Sequence, residues 1–164
     1  MKRCLTCISA LVLSVGLVSA PVSARDGVYA KGDMMIGAGI GIVPFIPGAH
    51  FDIAVHDMVS VGAAMGVHIP WIDIPLIGRG AFHPFYLPPL RDKIDVKRIL
   101  DPYVGVIAGI SIDPGDDTPV LPSFGEFIGC RFFISESFGF YAEESATWPG
   151  EDLGFLSGGV VFKF

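Results

Sequence analysis

Four histidines, His50, His56, His68 and His83, are the side chains of this 164-residue chain best suited to metal binding or proton transfer near neutral pH. None stands at the H-x-x-x-H spacing that sets two imidazoles on one helical face, so no metal site is expected. His56 falls in the turn-like His56-Asp57-Met58, and the other three read as surface or interior-lining residues. His83, Ser111 and Glu143 supply the residue types of a lipid-modifying hydrolytic set, but no local signature surrounds any of them. Glu143-Glu144 offers two carboxylates, yet neighbours on a strand point to opposite faces and cannot converge on one bond. Gly37-Ala38-Gly39-Ile40-Gly41 lacks the G-x-G-x-x-G spacing of a nucleotide loop, and Pro44 denies it the helix that would hold phosphate. No catalytic, cofactor-binding or metal residues are assigned, and the chain is expected not to be an enzyme.

The elements that carry these residues follow from composition and periodicity. Residues 1–24 read as a cleaved signal peptide: Lys2 and Arg3, an apolar run from Ile8 to Val18, then small residues ending in Val22-Ser23-Ala24. That run is shorter than the roughly 20 residues of a spanning helix and ends in Ser19-Ala20-Pro21. Cys4 and Cys7 lie inside it, which leaves Cys130 alone and no internal disulfide in residues 25–164, the expected single domain. Loss of Lys2 and Arg3 takes the net charge from −6 to −8, and the one basic cluster, Arg91 to Arg98, is interrupted by Asp92 and Asp95. Nucleic acid is therefore not an expected partner.

The chain is 51% hydrophobic and 17% charged, against about 25% charged in ordinary soluble domains, yet residues 25–164 hold no plausible spanning helix. Either a greasy soluble core or lipid-facing strands resolve this, since a strand crosses a bilayer with about 10 residues. Period-2 or apolar-run segments are expected at 33–43, 50–56, 58–69, 76–87, 102–112, 124–134, 138–146 and 153–164. The even count, the tight turns His56–Met58 and Ser135–Ser137, and the longer polar connections 113–123 and 147–152 fit a closed barrel with short inner turns and longer outer loops. The connection 88–101 breaks that rule and could hold a short helical turn. In the last segment Leu156, Val160, Phe162 and Phe164 share one face, and Ser157, Gly159 and Lys163 the other, so Lys163 should point inward. Trp71 and Trp148 flank outer connections and would join an interfacial aromatic girdle.

Asp101-Pro102-Tyr103-Val104-Gly105, Gly129-Cys130-Arg131-Phe132-Phe133, Gly139-Phe140-Tyr141-Ala142-Glu143 and the ending Gly158 to Phe164 together resemble small outer-membrane barrels of the opacity and OmpW type, mainly over residues 76–164. The resemblance implies an eight-stranded, porin-like barrel whose terminal Phe162 and Phe164 are read by the barrel-assembly machinery. It also implies that Gly129, Arg131, Phe133, Gly139, Tyr141 and Glu143 face the lumen, with Arg131 and Glu143 as a structural cross-strand pair.

The expected fold class is all-β, a closed antiparallel transmembrane β-barrel of about eight strands in the outer membrane, with lipid as its surroundings and no cofactor. Its expected role is structural, surface-exposed, or limited passage of a small hydrophobic molecule. An open porin is disfavoured, because an aqueous channel needs about 16 strands. Two rivals are a soluble periplasmic, lipocalin-like binding barrel and a lipid-modifying enzyme.

Overall fold

Strict alternation of large apolar residues with glycine, serine or charge gives each segment two unlike faces, and closing the sheet on itself gives each face its own environment. In the computed structural model, which describes residues 28–42, 45–69, 73–112, 120–148 and 155–164, the chain forms a closed barrel of eight antiparallel strands. They are β1 (Met34–Gly41), β2 (Ile46–His56), β3 (Val59–Gly66), β4 (Ile74–Phe82), β5 (Leu100–Ile112), β6 (Val120–Phe133), β7 (Phe138–Trp148) and β8 (Phe155–Lys163). Each strand pairs with its sequence neighbours, and β1 closes on β8 from Met35↔Lys163 to Gly41↔Ser157. The expected signal peptide, residues 1–24, lies outside the described residues, as does Trp71, and the side chain of Trp148 is likewise not described.

All eight expected strands are present, with shifted ends. β2 begins at Ile46 and β6 at Val120, four residues earlier than the sequence pattern suggests, because each takes in a proline that reads as a turn. The four strand prolines share one solution. Pro47, Pro75, Pro102 and Pro122 all lie where the strand has a ladder partner on one side only, since the second ladders start at Gly48, Leu76, Val104 and Phe124. A missing N–H removes nothing from the ladder that is absent there. β4 ends at Phe82, and the connection to β5 holds a 3₁₀ turn (Pro84–Tyr86), a four-residue helical turn (Pro88–Arg91) and a second 3₁₀ turn (Asp95–Arg98).

Outward positions alternate with buried ones on every strand. Among the described strand residues the outward face carries Met34, Ile36, Val61, Met65, Val106 and Ile128 and their like, and its only carboxylates are Glu126 and Glu144. These two sit diagonally: Glu126 is opposite Ala146, and Glu144 is opposite Ile128. The formal charges of the other strand residues point inward, with Asp52, Arg79, Asp101, Arg131 and Lys163 all buried.

The end of the barrel nearer the termini is sealed. Gly32, at a φ of 94° that glycine adopts without strain, turns the chain into β1 behind a short segment that enters the lumen. There Val28 N donates to Lys97 O at 3.0 Å, Tyr29 N to the Tyr86 hydroxyl at 3.0 Å, and Lys163 Nζ to Val28 O at 2.8 Å. Tyr29 and Tyr86 pack with Met35, Phe133 and Val161 in one buried cluster.

Candidate functional site

Five single charges, one each on β2, β4, β5, β6 and β7, converge in the half of the lumen nearer the termini. Arg131 is fully buried and pairs with Asp52 through Nη2, while Nη1 donates to Asp101 Oδ2 at 3.3 Å. Arg79 Nε lies 3.1 Å from Asp52 Oδ1, and its two terminal nitrogens donate to both oxygens of Glu143, at 3.3 and 2.7 Å. The Tyr103 hydroxyl donates to Glu143 Oε2 at 3.0 Å. Each guanidinium also lies over a ring, Arg79 4.2 Å from the Phe127 centroid and Arg131 4.4 Å from that of Tyr103. The result is one chain of alternating sign, Glu143, Arg79, Asp52, Arg131, Asp101. Burying any of these alone would cost several kcal/mol, and the alternation is what makes the layer tolerable.

Two glycines make room for it. A Cβ on Gly129 would fall on the Tyr103 ring, and one on Gly37 would fall on the His50 ring. Tyr103 can therefore lie flat against β6 and place its hydroxyl on Glu143.

At the sealed end the charged chain continues into His83. Its Nδ1 donates to Asp101 Oδ1 at 2.7 Å, and its Nε2 lies 3.1 Å from Ser60 Oγ. Ser60, His83 and Asp101 thus stand in the order of an acyl-transfer triad, an arrangement the sequence reading missed because Ser60 and Asp101 carry no signature. The surroundings argue for structure. Ser60 is 1% exposed, the Tyr29 ring stacks on His83 at 3.9 Å, and Asp101 is shared with Arg131. The Tyr29 ring lies over the relay, and the Ser60 hydroxyl is buried beneath it. Burial also raises the hydroxyl pKa values of Tyr29 and Tyr86 above the usual phenol range, so both stay neutral at the seal.

The expected site residues are distributed as follows. Arg131 and Glu143 both face the lumen, as do Phe133, Gly139 and Tyr141, but they do not pair directly. Register sets Arg131 opposite Tyr141 on one side and Asp101 on the other, and Glu143 opposite Gly129; Arg131 is taken by Asp101 beside it and by Asp52 from across the lumen, and Glu143 by Arg79. His83, Ser111 and Glu143 are not brought together either: Ser111 Oγ donates to Asp73, near the far end of the lumen, and Glu143 is held by Arg79 and Tyr103. Glu143 and Glu144 lie on opposite faces. His56 closes a turn by accepting from Met58 N at 3.2 Å, and His50 meets Tyr141 edge-on inside the barrel. Phe162 and Phe164 are exposed on the outward face, and Lys163 points inward to Val28 O and to Asp33, 3.7 Å away. Among the described residues no group of three His, Cys, Asp or Glu side chains could hold a metal ion. The residues missed, Asp52, Arg79 and Asp101, did have a signal: each is a lone charge inside an apolar, alternating strand.

No sequence-family profile matches the chain, and no curated protein matches it by sequence. Solved structures do resemble it. The N-terminal β-barrel domain of Pseudomonas aeruginosa OprF aligns with a TM-score of 0.62 at 18% identity, covering 82% of this chain and 98% of that one. A de novo designed transmembrane β-barrel aligns at 0.60 and 16% identity, over 82% and 97%. The solution structure of the designed barrel TMB2.3 aligns at 0.52 and 18%, over 85% and 98%. At these identities the likeness establishes the architecture, a closed eight-stranded antiparallel β-barrel.

Proposed function

We propose that this chain is an integral outer-membrane protein of the small-barrel class that includes the opacity and OmpW type, a plugged barrel with a structural and surface-exposed role. One observation carries the reading: the barrel is inside-out, with apolar side chains around its outward face and its strand charges, apart from two glutamates, in the lumen. A soluble lipocalin-like barrel needs the reverse, an apolar interior for its ligand and a polar exterior. Strands of 8 to 14 residues suit the 9–11 needed to cross a bilayer at a tilt. Exposed Phe162 and Phe164 at the end of β8 are available to a barrel-assembly machinery that reads terminal aromatics.

The charged layer and the seal behind it speak against a standing channel. Passage of small apolar molecules would require Arg79 and Arg131 to part from their carboxylates, so structure and surface exposure rank ahead of transport. The lidded Ser60–His83–Asp101 relay belongs to this plug, and we assign it no catalytic step.

The test is fractionation followed by gel mobility. The protein should remain in carbonate-washed outer membranes and migrate differently before and after boiling. Recovery from the periplasm without detergent would overturn the reading, and large, steady single-channel conductance would overturn the plug.

A further inference from the structure

The half of the lumen away from the termini is built on another plan. It holds a cavity of ≈ 190 Å³ whose one wall, on β1 to β3, is small and apolar, with Gly39, Gly48, Gly66, Ala64 and the larger Ile46 among its residues. The opposite wall, on β5 to β8, is a set of hydroxyls, Ser111, Ser123, Ser145, Thr147 and Ser157. Tyr141, Ile77 and Ile107 also line it. The volume equals about six waters at roughly 30 Å³ each.

Two facts bear on what would fill it. Among the described residues, the hydroxyls of Ser123, Ser145, Thr147 and Tyr141 have no hydrogen-bond partner, although all four line this one space. Among the described residues the lining holds no lysine or arginine, and its one carboxylate, Asp73, accepts from Ser111 and lies 3.3 Å from His68 Nδ1. An anion finds no cation here and a cation finds its carboxylate engaged. Hydroxyls facing small apolar groups across a narrow gap suit a ring with polar edges and C–H faces.

We propose that this cavity is a binding site for a small uncharged polyol of monosaccharide size, its hydroxyls on the serine and threonine wall and its C–H face on the glycine wall. Ser145 and Thr147 bind and orient it, and Ala64 keeps the space open. The assignment rests on the barrel geometry and not on the membrane reading, so a failure of either leaves the other standing.

The experiment is amide NMR of the full-length folded protein in micelles, titrated with glucose, with glucose 6-phosphate and cyclohexylmethanol as contrasts. Glucose should give saturable shifts at Gly39, Gly48, Ser145 and Thr147 with a Kd of roughly 1 mM. Ser145→Ala and Thr147→Val, made separately, should each weaken binding by about fivefold, and Ala64→Leu should abolish it. Unchanged dispersed amide shifts on the strand residues away from the cavity would show these variants folded. Absence of saturable glucose shifts in the unaltered protein would overturn the proposal without any variant. So would cyclohexylmethanol binding as tightly as glucose, which would make the cavity a simple apolar void, or glucose 6-phosphate binding as tightly, which would refute the selection for neutral ligands.

Discussion

The two halves of this lumen are made from the same eight strands and filled in opposite ways. Near the termini the inward positions carry Asp52, Arg79, Asp101 and Arg131, backed by Tyr103, Phe127 and the Tyr29 lid. Toward the other end they carry mostly glycine, alanine, serine and threonine, with Ile46, Ile77, Ile107 and Tyr141, around an open cavity. Strand closure fixes the diameter at both levels, so the difference lies in side-chain volume and charge alone. In the filled half the five charges are paired with one another, and that layer ties β2, β4, β5, β6 and β7 together across the interior. In the hollow half four hydroxyls have no described partner. One half is therefore where stability is concentrated, and the other is where a ligand can act without disturbing it.

The largest test of that division is Arg131→Ala. It leaves Asp52 and Asp101 buried beside Tyr103 with one cation, Arg79, left to serve three carboxylates. A loss of about 3–5 kcal/mol is expected, read as a lower urea midpoint for interconversion of the folded and unfolded gel bands. Arg131→Met should lose as much, because the carboxylates are orphaned whatever fills the volume. A drop under 1 kcal/mol would mean the charged layer is solvated and the division false.

Gly129→Val follows. Its new side chain must displace the Tyr103 ring, breaking the hydroxyl's bond to Glu143, and overpacking of this kind costs about 1–3 kcal/mol. A volume increase of similar size in the hollow half, Ala64→Leu, should cost less than Gly129→Val in the same urea titration, since it grows into the cavity. Equal costs would show that the hollow half is packed after all.

Much of this was legible in the sequence, and what was not has a physical cause. Alternation is local, so the eight strands, the inward Lys163 and the outward Phe162 and Phe164 could all be read from neighbours two residues apart. Proline misled at 47 and 122, because the residue type does not say whether a strand has one ladder partner or two there. The charged chain was half visible: Arg131 and Glu143 could be set in the lumen, but Arg131 meets Asp101 through the register of β5 with β6, and its pairing with Asp52, like that of Arg79 with Glu143, depends on the stagger of strands across the barrel. Asp52 and Arg79, 27 positions apart in sequence, share no local pattern. The relay to Ser60 was missed for the same reason. The hollow half left its trace in Gly37, Gly39 and Gly41, which mark strand character without revealing which faces stay unfilled.

The outward face offers a smaller effect. Glu126 and Glu144 interrupt an otherwise apolar surface on β6 and β7, and acidic residues facing lipid are destabilising by less than the roughly 2–4 kcal/mol of a midplane lysine or arginine. Glu144→Leu should therefore raise barrel stability in liposomes by about 1 kcal/mol, with Glu126→Leu similar. Unlike any change to the charged lumen layer, these substitutions remove a carboxylate with gain. If Glu144→Leu is destabilising by 1 kcal/mol or more, that face is covered by something polar and does not lie against acyl chains.

The smallest expected effect bears most directly on the comparison. Ser145→Ala removes a half-buried hydroxyl that has no described partner, so it should shift the urea midpoint by no more than about 0.5 kcal/mol. Tyr103→Phe, which also removes one hydroxyl, leaves Glu143 short of a donor in the filled half and should cost about 1–3 kcal/mol. The two substitutions delete the same kind of group from the same lumen, so their ratio measures how unequally the barrel's interior is engaged. A cost for Ser145→Ala close to that of Tyr103→Phe would mean the cavity wall is already satisfied, by ordered water or by residues of the adjoining loops, and that its hydroxyls are part of the frame.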